Sequence, residues 1–112
     1  MLLVTALMFM TVVSSCSNDN DSEAPDSLVG TTWKGTNNGW EAIVKFVDNS
    51  SFTCTETRIE DGHTNHYSGT YSYNKPVCTG TLYGYEFTAT ISGNKCTVIV
   101  SGSGNTYIFH KQ

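Results

Sequence analysis

No lysine or arginine precedes Lys34, and the six that follow, from Lys34 to Lys111, stand singly. A chain without a basic stripe or cluster has nothing to track a phosphate backbone, which excludes nucleic acid as a partner, and no polybasic patch for acidic headgroups. Of the ten acids, Asp19, Asp21, Glu23 and Asp26 precede residue 28, so from there on six acids balance six bases. Proline is confined to Pro25 and Pro76. No window repeats apolar residues at a 3.6-residue period, so no helix is expected in 28–112. The one long apolar run, residues 1–13, falls short of the ~20 residues that span a bilayer. Recognisable catalytic patterns are missing as well. No serine sits in a nucleophile elbow, no glycine loop precedes a helix, and no acidic pair is spaced for glycoside hydrolysis. A non-enzymatic chain without a cofactor is expected.

Residues 1–13 have the length and apolarity of the core of an export signal. Val13-Ser14-Ser15-Cys16 follows, an aliphatic residue and two small ones before a cysteine. This resembles the lipobox of bacterial lipoproteins, which implies cleavage before Cys16 and an acyl anchor, such as palmitate, on it. Export signals normally begin with positive charge, so translation is expected to start upstream of Met1. Residues 16–27 are polar, acidic and free of aromatics, the composition of a flexible tether. The acidic Ser, Asn and Asp run after Cys16 is similar to those of Bacteroides-type lipoproteins. That resemblance implies an outer-membrane protein held by its lipid, facing the periplasm or the cell surface.

From residue 28 the chain alternates. Tyr85, Phe87, Ala89 and Ile91 alternate with Glu86, Thr88 and Thr90, and Ser92-Gly93-Asn94 ends the run. The same grammar predicts strands over 28–35, 40–47, 51–58, 66–73, 77–82, 85–91, 95–101 and 106–111. Asn38-Gly39, Asp61-Gly62 and the glycines near 93 and 102 mark the turns between them. Pro76, which has no N–H to donate, belongs at a strand start or edge. Eight short strands joined in sequence favour an all-β, antiparallel up-and-down barrel, with a two-sheet sandwich as the alternative. Gly30 ahead of Trp33, together with the pattern from Gly69-Thr70-Tyr71-Ser72-Tyr73 to Tyr107-Ile108-Phe109, resembles lipocalin-like small lipoproteins. Lipocalins proper carry Gly-x-Trp, one residue shorter than the Gly-x-x-Trp here. The resemblance implies a tryptophan closing one end of the barrel.

Few residues invite chemistry. Cys54, Cys78 and Cys96 fall on the face assigned to the interior. Export permits a disulfide, which leaves two readings open: one bridge with a third thiol free, or three free core thiols. Strands two apart in a sheet are ~9.6 Å distant, too far for a bridge without curvature or a loop. Asp61, His63 and His66 lack a further ligand nearby in sequence and read as a solvated loop rather than a metal site. Glu41, Glu56 and Glu86 are assigned to outward faces. Tyrosine joins contact area to a polar tip, so Tyr67, Tyr71 and Tyr85 are candidate ligand contacts, with Trp33 and Trp40 beside them. Tyr73 and Tyr83 extend that cluster.

An eight-stranded barrel is either filled by its side chains or holds one small ligand. Trp33, Trp40, Phe46, Phe52, Phe87 and Phe109 compete for the space, and a filled interior is expected. The function that follows is a monomeric binding or interaction module for an envelope or host component. The alternative is a carrier of a small apolar ligand inside the barrel.

Overall fold

The computed structural model describes residues 23–112. They form eight strands and no helix: β1 (Thr32–Asn37), β2 (Trp40–Phe46), β3 (Ser51–Arg58), β4 (Thr64–Asn74), β5 (Val77–Leu82), β6 (Tyr85–Ser92), β7 (Lys95–Val100) and β8 (Thr106–Lys111). Each strand pairs antiparallel with its neighbour in sequence, and β8 returns to β1, so the sheet closes into a barrel. The barrel is the expected one, of the small lipocalin-like kind, with two strands shifted at their starts. The first begins at Thr32 instead of 28, and β4 begins at Thr64 instead of His66.

Local chemistry explains the turns. Asn38 and Gly39 have φ of 51° and 84°, and Tyr83 and Gly84 have 53° and 84°. Two successive left-handed residues make the hairpin turn whose twist matches that of the strands it joins. Gly93, at φ 59°, opens the turn into β7. A cis Lys75-Pro76 bond joins β4 to β5, and the Pro76 carbonyl accepts from the Ile91 amide at 2.8 Å. In the β2–β3 turn the Asp48 carboxylate accepts from the Ser50 and Ser51 amides at 2.9 and 2.8 Å. The seam is made by His110 opposite Lys34 and Lys111 opposite Trp33, and the Gln112 amide donates to the Thr32 carbonyl. Closure leaves no strand with an unpaired edge.

Residues directly opposite across a ladder share a face, so the register sets the interior. Trp33 faces Val44, Val44 faces Cys54, and Cys54 faces Tyr67. On the far side Cys78 faces Ala89, and Ala89 faces Val98. The fully buried residues gather at one end, the floor: Leu28, Trp33 and Cys78 are each 1% exposed, beside Phe52, Tyr71 and Ile91. Tyr71 stands edge-on to Phe46 at 4.8 Å and donates its hydroxyl to the Asp48 carbonyl. Truncating an aromatic anchor such as Trp33 to alanine costs roughly 3–5 kcal/mol.

The packed unit begins earlier than composition suggested. Ala24 is 5% exposed within the core, and the Pro25 carbonyl accepts from the Tyr73 hydroxyl. Lys75 reaches Glu23 and Asp26 at 3.3 and 3.1 Å. Residues 23–27, read as the end of a tether, therefore lie against the floor of the barrel. The expected export signal, Cys16 and the acidic stretch up to residue 22 fall outside the described residues. The eight ladders and the buried cluster of the described residues draw on 24–111 alone, so 23–112 carries a complete closed barrel with its core.

Candidate ligand cavity

Above the floor the barrel is open. A cavity of about 860 Å³ runs from Trp33, Phe52 and Cys96 up to a mouth bounded by Asn38, Tyr83 and Ser101–Ser103. The expectation of a filled interior is overturned, and the reason lies in three glycines. A Cβ at Gly69 would stand 2.6 Å from the Phe52 ring, one at Gly80 2.9 Å from the Phe87 ring, and one at Gly35 3.1 Å from the Phe109 ring. Each of these rings occupies the room a neighbouring strand leaves by having no side chain, so it lies along the wall instead of filling the lumen. Ala42, Val44, Val98 and Val100 complete much of the wall with short side chains.

The five expected ligand contacts do not stay together. Trp33 forms the cavity floor, and Trp40, Tyr67 and Tyr85 line its upper part. Tyr71 is buried beneath, against Phe46 and Phe52, and touches no part of the cavity. The tyrosine cluster divides by end of the barrel. Tyr71 and Tyr73 cap the floor through hydroxyls given to backbone carbonyls. Tyr67 and Tyr83 meet edge-on at 5.3 Å on the cavity side, and Tyr83 and Tyr85 stay 76% and 62% exposed. A half-open apolar cavity with aromatic side chains toward its mouth is the common form of a small-molecule site.

Cys54, Cys78 and Cys96 are all buried and all free. They stand on β3, β5 and β7, every second strand, so a full strand separates each from the next. Burial pushes the Cys54 and Cys78 thiols up to about 11 and Cys96 to about 12, with the Glu56 charge adding to the rise at Cys54. Such thiols stay neutral and unreactive at ordinary pH.

No family model, no curated protein and no solved structure matches this chain. The cavity is therefore read from its own chemistry.

Glu56 corrects a further expectation. Assigned to an outward face, it lies opposite Ala42 on β2 and Asn65 on β4 and lines the cavity, the only charged residue there among the described residues. The signal was in the sequence: Glu56 follows Phe52 and Cys54 at steps of two, which puts it on their face. Tyr67, with its pKa raised by desolvation and then by the Glu56 charge, stands beside it. Arg58, two residues on from Glu56 toward the end of β3, is engaged elsewhere. Its Nε is 3.2 Å from Asp61, and its guanidinium lies 5.2 Å from the centre of the Trp40 ring. His63 packs edge-on to Trp40 at 6.5 Å, and His66 lies 3.3 Å from Thr55 on the outer face. Among the described residues no group of three or more His, Cys, Asp or Glu converges as a metal site would require.

Proposed function

We propose that the chain is a non-catalytic carrier, or binding module, for a small and mostly apolar ligand held inside the barrel. The observation that carries this reading is the cavity. At about 860 Å³ it falls in the range of sites for small organic ligands, ~300–1,000 Å³, and its lining is mainly aromatic and aliphatic. Filling it removes apolar wall and ligand from water together, worth about 25 cal/mol per Å² of apolar surface. The Val13-Ser14-Ser15-Cys16 pattern supports placing the carrier at the envelope on an acyl anchor, where apolar ligands concentrate.

The test is titration of residues 23–112 with N-phenyl-1-naphthylamine, a neutral dye that brightens in apolar surroundings. Wild type is expected to bind it saturably with one site. Ala42→Trp, which puts an indole into the lumen from a half-buried wall position, is expected to remove binding while leaving the barrel's circular dichroism intact. Saturable binding unaffected by Ala42→Trp would place the dye elsewhere and sink the reading.

A further inference from the structure

Glu56 poses a physical question that an apolar cavity does not answer. A carboxylate tolerates loss of water only when it is paired, because an isolated buried charge is strongly unfavourable. In the open cavity water reaches Glu56, which is partly exposed. A ligand that fills the cavity takes that water away. A neutral or anionic occupant would then leave Glu56 with the Tyr67 hydroxyl as a hydrogen-bond partner but with no counter-charge. A cation on the ligand would meet it with a charge-assisted hydrogen bond in a low-dielectric setting, where such bonds are strongest.

The protein does not supply that cation itself. Across the ladders Glu56 meets Ala42 and Asn65, neither charged. Tyr67 and Cys54, its near neighbours, carry protons at neutral pH, with pKa values raised by burial first and by Glu56 second. Arg58 is paired with Asp61 and stacked on Trp40. Among the described residues no ion pair involves Glu56. Below it the wall is apolar down to Trp33, so the acceptor for a cationic group and the bed for an apolar body lie one above the other.

Building on the carrier reading, we infer that the cavity is selective for amphiphiles with one cationic head, an alkylammonium or arylammonium, whose ammonium docks on Glu56 with the apolar body directed at Trp33. Glu56 is then the specificity residue and the aromatic floor supplies most of the affinity.

The experiment displaces N-phenyl-1-naphthylamine from residues 23–112 with octylamine, octanol and octanoate, which share a tail and differ in head charge. Octylamine is expected to bind about tenfold more tightly than octanol, and octanoate more weakly than either. Glu56→Gln is expected to abolish the preference, leaving octylamine and octanol with the same affinity. Glu56→Lys is expected to invert the order of amine and carboxylate. Equal displacement by all three in wild type, or an amine preference that survives Glu56→Gln, overturns the selectivity and leaves the carrier reading standing. Failure of the dye and all three compounds to bind removes the carrier reading, and the selectivity falls with it.

Discussion

At the scale of single residues, the three thiols make the clearest thermodynamic statement. Cys54, Cys78 and Cys96 ionise at about 11, 11 and 12 in the fold against 9.0 for a free thiol. As pH rises through this range the unfolded chain releases thiol protons that the folded chain retains. Stability contributed by the buried neutral thiols is therefore full below pH 9 and is lost as pH climbs toward 12. Tyr71 and Tyr73, also raised mainly by burial, add to the fall above pH 10. Urea midpoints are expected to drop between pH 9 and 11, less steeply in Cys96→Ala. A flat profile over that interval would contradict burial of the thiols as described. Their neutrality also fits the cavity, whose lower wall Cys78 and Cys96 share.

Among the elements, the hairpin between β5 and β6 carries strain for a reason. Tyr83 holds a left-handed φ of 53° in a position that Asn or Gly would fill at lower cost, and its ring lines the cavity. Backbone strain of this kind collects at functional sites. Tyr83→Asn relieves a left-handed residue at the expense of an exposed contact with Tyr67, for a net gain in stability of roughly 0.5 kcal/mol. The same variant is expected to bind N-phenyl-1-naphthylamine severalfold more weakly. A stability gain with unchanged binding would show that the strain serves no ligand. The strands themselves were readable, since alternation and turn residues are local: all eight are there, with the starts of β1 and β4 displaced. Glu56 shows how an expectation can fail with the signal present: its period-two position on β3 carried the answer, and charge alone argued otherwise. The docking of Ala24 on the floor had no comparable signal, because residues 16–27 are polar by composition and Ala24 is the one buried side chain among 23–27.

For the whole molecule, the central fact is that the barrel is closed at one end and hollow toward the other. Strand order follows from neighbours in sequence, but hollowness depends on which ring meets which glycine across the sheet. Phe52 with Gly69, Phe87 with Gly80 and Phe109 with Gly35 are pairings between different strands, set by register, and an aromatic count read along the chain overstates how much lumen they fill. The measurement that tests this most directly is a heteronuclear NMR titration of residues 23–112 with N-phenyl-1-naphthylamine. A ligand in the lumen is predicted to shift the methyl signals of Ala42, Val44, Val98 and Val100 while leaving Ile43 and Ile99, on the outer face, in place. Shifts confined to the outer methyls, or none at saturating dye, would contradict the hollow barrel as the binding site.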